Sequence, residues 1–410
     1  MQRIVDIKTE KPAIFGLPRN IIFMGVVSFL NDLTSDMVSS LIPIFLTTVL
    51  GAPLAFVGVI EGVADSAANV MKIVSGRISD KIRKRKIFAV IGYSLSAITK
   101  PLLAFAQVPW HVLAVRLFDR AGKGVREAPR DALISFSISK DRYARAFGFH
   151  RAMDTAGAAL GPLVAFILLP ILNNNLRWLF LLSFIASFFA VFVLVLFVRE
   201  VQAPPDLADG NTFHAFHLRS LGLPFYMFTL GATIFALGKA SEAFLILRAT
   251  NVGIAITLIP ILFFAYNMSA TVLSSPMGIL ADKIGKRWTL IGGYAIFAFI
   301  YFIFANTSTS NAVWALFIAY GLYYAATDGV GRAIVADLVP AEFRGTAYGV
   351  FHAITGLALL PGSVVFGYLS QNFGYASAFQ YGTALAIIAV LVLSSERIWA
   401  RNHYRRQNSA

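Results

Sequence analysis

Long apolar runs alternate with short polar breaks along almost the whole chain, and most of the charge lies in the breaks. The run LRWLFLLSFIASFFAVFVLVLFV, residues 176–198, has 23 residues and one charge, at its start. At about 1.5 Å per residue it crosses a hydrocarbon core about 30 Å thick. The same reading predicts twelve helical spans, near 20–50, 53–79, 86–107, 110–137, 142–170, 176–198, 221–249, 252–280, 287–305, 311–338, 344–370 and 374–397. The expected fold class is an all-α membrane protein of twelve transmembrane helices in two six-helix halves.

The breaks alternate in charge. Those near 50–53, 106–110, 306–311 and 371–375 carry no Lys or Arg, and 171–177 carries only Arg177. The others carry a knot at 76–86 (Arg77, Lys81, Arg83, Lys84, Arg85, Lys86 around Asp80), then Lys140, Arg142 and Arg145, then Arg199 and Arg219, then Lys283, Lys286 and Arg287, and then Arg344. The tail adds Arg401, Arg405 and Arg406. Lys and Arg are retained on the cytoplasmic side, so both termini and the knots are expected there, in a bacterial inner membrane.

Composition narrows the function. The chain is 57% hydrophobic and 14% charged, too little polar surface for a soluble protein of 410 residues. Its net charge of +14 is dispersed in short segments between apolar runs, which leaves no basic domain to dock nucleic acid. There is no Cys, so disulfides and Cys metal sites are excluded. The polar, acid-containing start MQRIVDIKTEKP does not read as a cleaved signal peptide. No nucleophile–base constellation, phosphate loop or zinc motif points to an enzyme, and no cofactor is expected.

The knot returns. GRISDKIRKRK at 76–86 is answered by GILADKIGKR at 278–287, Asp80 by Asp282. ARAFGFHRA at 144–152 resembles TAYGVFHAI at 346–354, and Arg126 and Asp131 are matched by Arg332 and Asp337. The polar stretch 199–220, with its Pro pair, reads as a cytoplasmic linker between an N-terminal half, 1–198, and a C-terminal half, 221–410. Parallel six-helix repeats that rock about a central site are one way to build a transporter.

The two knots resemble the loop signature of the major facilitator superfamily, Gly-x-x-x-Asp-(Arg/Lys)-x-Gly-(Arg/Lys)-(Arg/Lys). The second copy fits throughout, and the first has Arg83 where the family has Gly. The resemblance implies a cytoplasmic charge latch from Gly76, Asp80, Lys81 and Arg85 in one half and Gly278, Asp282, Lys283 and Arg287 in the other. DTAGAALGPLVA, 154–165, resembles the family's span-five antiporter motif through Gly157, Gly161 and Pro162 and points to export; small-residue helix packing is the plainer reading. Arg116 matches only the Arg of the family's Arg-x-x-Gln-Gly motif, since Asp119 and Arg120 replace the Gln and Gly. In drug–proton antiporters of the family that Arg works with a span-one acid, which implies Arg116 with Asp32 or Asp36 here.

Charges at membrane depth are costly and face a cavity or each other. Span one offers Asn31, Asp32, Ser35 and Asp36; span two offers Glu61, Asp65 and Lys72 on one helical face. In span four, Arg116, Asp119, Arg120, Lys123, Glu127 and Arg130 share one sector. Span five adds His150, Arg151 and Asp154, and the second half adds Lys239, Glu242, Asp328, Arg332 and His352. Arg126, Glu127, Arg130, Asp131 and Lys72 read more simply as interfacial charges or gate pairs, and His352 as a hydrogen-bonded core residue. Asp119 with Arg120, and Asp328 with Arg332, are structural ion pairs or working ones. Carboxylates at i and i+4, Asp32 with Asp36 or Glu61 with Asp65, suit a metal, but no Cys or His cluster supports them.

The expected function is a proton-coupled secondary transporter that exports a small solute and works as a monomer. Its partners are the lipid bilayer, protons and the substrate. An importer of an anionic solute or a metal chelate, using Arg116, Arg120, Lys123, Arg151 and Arg332, is the alternative within transport. A receptor or scaffold is the alternative outside it, and charges through several mid-membrane spans argue against that.

Overall fold

The computed structural model describes residues 17–82, 84–138, 143–201, 221–339 and 344–395. Their regular elements are helices. They fall into two compact units: residues 17–51 with 67–201, and residues 52–66 with 221–395.

The first unit holds α1 (Arg19–Ser39) and the short α2 (Ile42–Ile44), which runs on into a π-helical turn at Phe45–Val49. It also holds the later part of α3 (Leu54–Ile82), then α4 (Arg85–Leu102), α5 (Pro109–Phe136), α6 (Tyr143–Ile171) and α7 (Leu176–Phe197). Local chemistry sets the ends. Pro109 opens α5, where a missing amide costs nothing. Asn175 caps α7 by accepting from the Arg177 amide at 3.0 Å. α1 packs against α6 and α7, and α4 against α5 and α7. Between them lies an aliphatic core that includes Ile21, Met24, Val27, Leu133, Ile134 and Leu194.

Two glycines let α6 seat on α1. A Cβ on Gly161 would run into the Leu33 carbonyl oxygen and stand 2.8 Å from the Met37 nitrogen. One on Gly157 would run into the Phe29 carbonyl oxygen and stand 3.1 Å from the Leu33 nitrogen. The backbones touch there, which is what small residues spaced by four allow.

Residues just past α7 fasten this unit. The Glu200 carboxylate accepts from the amides of Arg85 (3.0 Å) and Lys86 (2.8 Å), capping α4 from 114 residues away. The Arg199 amide donates to Asn20 Oδ1 at 2.8 Å, and Asn20 Nδ2 donates to the Arg199 carbonyl at 3.3 Å.

The second unit holds the first part of α3, then α8 (Leu223–Gly238), α9 (Glu242–Asn251), α10 (Ile259–Ile284), α11 (Lys286–Asn306), α12 (Ser310–Leu338), α13 (Arg344–Asn372) and α14 (Gly374–Ser394). α8 packs against α13 and α14, and α11 against α12 and α14. This is the same pairing order as in the first unit. The core here is aromatic: Phe297 stacks on Tyr301 at 4.0 Å and Phe304 on Phe379 at 5.2 Å. Gly285, at φ +95°, makes the turn between α10 and α11, a conformation that favours glycine.

Among the described residues all twelve expected spans are helical, and two are broken. The first continues through α2 and the π turn, and the seventh is interrupted at Lys239–Ser241, between α8 and α9. Among the described residues ten spans are long and apolar enough to cross a bilayer on composition alone. The other two are α5, with its row of charges, and α12, with Tyr320, Tyr323, Tyr324, Asp328 and Arg332.

Candidate functional site

In the first unit the polar residues of α1, α4, α5 and α6 come together. Asp32 accepts from Asn31 Nδ2 at 2.9 Å, and Asp36, one turn on, accepts from Ser39 Oγ at 3.3 Å. Asp36 sits in the field of Asp32, Lys123 and Arg120. Arg116 is buried one turn earlier on α5, where it belongs with Arg120, Arg126 and Lys100 to the cations around Asp119. Lys123 lies 4.0 Å from Glu127, which pairs with Lys72 at 2.9 Å.

Lys100 joins this set, and sequence reasoning missed it. It is 2% exposed. Its ammonium donates to Thr34 Oγ1 at 2.8 Å and to the backbone and side-chain oxygens of Asn31, both at 3.3 Å. Asn31 thus accepts from Lys100 and donates to Asp32, a two-bond relay from α4 to the carboxylate. The available signal was a Lys–Pro pair inside an apolar run, at an end of the span whose following break carries no cation.

A second cluster lies on α5 and α6. His150 and Asp154 are buried, with Nδ1 and Oδ2 3.5 Å apart, and Arg130 Nη1 lies 4.0 Å from the same oxygen. Arg130 also binds Asp131 at 3.0 Å and donates to Ser28 Oγ at 3.3 Å. Asp154 Oδ1 and His150 Nε2 have no protein partner. Arg126 donates to Ser96 Oγ at 2.7 Å and lies over the Tyr93 ring at 4.6 Å. Arg151 is exposed.

In the second unit, Lys239 lies 3.6 Å from Glu242. Glu61, in the part of α3 that belongs to this unit, accepts from Ser241 Oγ at 3.3 Å; Asp65 lies one turn further along α3 and is half-buried. Asp328 and Arg332 pair at 2.6 Å. His352 was expected in the core; instead it is exposed, its ring against Tyr348 and Phe351. Among the described residues no group of three or more His, Cys, Asp or Glu is placed to hold a metal ion.

The knots divide differently. Gly76 lies 3.3 Å, as a Cβ, from the Ala128 side chain, Lys81 is exposed, and Arg85 is buried over the Phe136 ring at 4.5 Å. Asp80 is in α3, but its side chain, like Arg77's and all of Arg83, lies outside the described residues, as do 202–220 of the linker. In the second copy Gly278, Asp282 and Lys283 are exposed. Arg287 donates to the Ser394 carbonyl, and Lys286 pairs with Asp337 at 2.7 Å. Gly157, Gly161 and Pro162 are inside α6, the two glycines at its crossing with α1.

These features have counterparts in known proteins. The sequence profile of the Major Facilitator Superfamily matches the chain twice, over residues 24–246 and 221–409. An uncharacterized MFS-type transporter of Methanocaldococcus jannaschii is 35% identical over 383 residues, 92% of this chain and 94% of that one. Two solved structures share the fold. The nucleoside transporter NupG superposes with a TM-score of 0.74 at 15% identity, covering 91% of this chain and 98% of that one. A POT peptide transporter in complex with sulfate does so with 0.78 at 12% identity, covering 96% and 99%. Twelve spans, two units with one pairing order and a doubled family match lead to one conclusion: the chain belongs to the Major Facilitator Superfamily and is an integral membrane transporter of a small molecule, not an enzyme.

Proposed function

We propose that the chain is a proton-coupled secondary active transporter, working as an exporter, in which Asp32 or Asp36 carries the proton. The observation that carries this reading is two carboxylates one turn apart on α1, with Lys100 relayed to one through Asn31 and the other in the electrostatic field of Lys123 and Arg120. Charges at this depth are costly unless they work or pair. A proton on either Asp removes one negative charge from a set whose cations are fixed on α4 and α5. That changes the electrostatic energy of any arrangement that moves α1 against them, so protonation biases a conformational equilibrium. The buried His150–Asp154 pair is the next station by the same argument.

In this reading the halves 1–198 and 221–410 alternate access about the site, joined by the linker 199–220 on the cytoplasmic side with both termini. The knots at Asp80 and Asp282 latch that side. The protein acts as a monomer in a bacterial inner membrane, and export follows from the resemblance of Gly157, Gly161 and Pro162 to the antiporter motif. The test is a substrate panel in proteoliposomes with and without an imposed pH gradient. One of Asp32→Asn and Asp36→Asn abolishes gradient-driven transport and keeps exchange. Uphill transport by both variants with unaltered pH dependence would remove span one from the coupling path.

A further inference from the structure

The break in the seventh span is built unlike the rest of the second unit. α8 stops at Gly238, Lys239–Ser241 are not helical, and α9 begins at Glu242 with Ser241 as its N-cap, accepting from the Ala243 amide at 3.3 Å. The break lies about 24 Å along the span, inside a hydrocarbon core about 30 Å thick. Interrupting a helix there exposes backbone groups that need partners. One freed carbonyl, that of Leu237, accepts from Tyr381 Oη at 3.2 Å. Spans broken in this way present a half-helix N-terminus to a ligand.

Two opposite charges flank this break. Lys239 Nζ and Glu242 Oε1 are 3.6 Å apart, an ion pair without a hydrogen bond, with side chains 23% and 34% exposed. Near Lys239 Nζ are the rings of Tyr324 and Tyr323, at 5.8 and 6.0 Å. Beside them is Tyr320, fully buried, 5.0 Å from Tyr323 between ring centroids, with no partner for its hydroxyl. Partly exposed charges at this depth face a wet cavity rather than lipid. The site therefore offers an ammonium held by one loose ion pair, a carboxylate one helical turn away, and a tyrosine wall.

We infer that this is a ligand subsite for a small zwitterion with a flat apolar body. Its carboxylate binds Lys239 and the N-terminus of α9, its ammonium binds Glu242, and its body packs on Tyr323 and Tyr324. Charge decides between this ligand and its rivals. A simple anion would pair with Lys239 but would meet Glu242 beside it and Glu61 at Ser241. A simple cation would take Glu242 and leave Lys239 without its counter-charge at membrane depth, which is costly. A zwitterion exchanges one loose ion pair for two hydrogen-bonded ones and leaves the net charge unchanged. The inference rests on the reading of the chain as a small-solute transporter, but it requires no proton coupling.

The test is equilibrium binding to the purified full-length protein in detergent, without any gradient. Three probes share one body: L-phenylalanine, 3-phenylpropionate and 2-phenylethylamine. Phenylalanine binds at least roughly tenfold tighter than either half, since each lost end forfeits one charge-assisted pair. Lys239→Gln and Glu242→Gln each remove that advantage, Lys239→Arg keeps part of it, and Tyr324→Leu weakens all three probes. If a variant does not fold, the probe ranking on the native protein still decides. Tighter binding of the propionate or of the amine, equal or absent binding of all three, or an unchanged ranking in Lys239→Gln would overturn the assignment. None of these results bears on Asp32 and Asp36, whose failure would appear only in gradient-driven transport.

Discussion

Gly161→Ala adds a single methyl group at the crossing of α6 and α1. The new Cβ would overlap the Leu33 carbonyl oxygen and lie 2.8 Å from the Met37 nitrogen, and both are backbone atoms of α1 that no rotamer change can move. Relief requires α6 to back away by about 1 Å along an interface that runs the length of both helices, and a 0.5–1 Å gap forfeits a quarter to a half of each contact's attraction. Overpacking of this kind costs about 1–3 kcal/mol. Gly157→Ala strains the same crossing one turn away, so the double variant costs less than the sum, because the first methyl has already opened the gap. Gly148 on the same helix is the control: a Cβ there meets nothing within 4 Å, and alanine at a helical glycine gains up to ~1 kcal/mol. Thermal unfolding in detergent should therefore rank Gly161→Ala and Gly157→Ala below the native protein by several degrees, with Gly148→Ala at or above it. Equal unfolding temperatures for Gly161→Ala and Gly148→Ala would refute the close crossing.

Glu200→Gln removes the charge from the cap on α4 and should cost about 1–2 kcal/mol, read as faster amide exchange at Arg85 and Lys86. Lys100→Met takes the donor from Asn31 Oδ1 and one cation from beside Asp32, Asp36 and Asp119. Uphill transport should fall at least roughly tenfold, the ~1.4 kcal/mol of one charge-assisted hydrogen bond, with partial rescue by Lys100→Arg. Full activity in Lys100→Met would place Lys100 outside the coupling set. The Lys72–Glu127 pair, its side chains 46% and 22% exposed, should contribute no more than ~1 kcal/mol in a double-mutant cycle. For topology, a lone cysteine at Ser308 should be labelled from outside the cell and one at Lys84 from inside; the reverse pattern would invert the chain.

What the sequence disclosed follows from which interactions are local. Run length marks a span because hydrocarbon admits only a helix with its backbone satisfied, and 176–198 needed nothing more. The row Arg116, Asp119, Arg120, Lys123, Glu127 and Arg130 was legible because helical period alone puts it on one face of α5. Its partners were not, because pairing between helices is tertiary. The resemblance to drug–proton antiporters implied Arg116 beside the span-one acids, and the cations whose field reaches Asp36 are Lys123 and Arg120. The break at Lys239–Ser241 left only a weak local trace, Ser before Glu, inside a run that otherwise reads as one span. Lys100 was passed over because a lone Lys near a span end looks like a snorkelling side chain.

The cap that Glu200 places on α4 also sets an order of events during synthesis. The first amides of α4 are made 114 residues before the carboxylate that receives them. At about 5–20 residues per second, that interval lasts roughly 6 to 23 s. Throughout it the start of the third span must be held by headgroups, water or the insertion machinery. Asn20 waits longer still for Arg199. The first unit is thus fastened only once residues 199 and 200, just past its last helix, have been made, and a truncation before residue 199 would leave both the first and third spans unfastened.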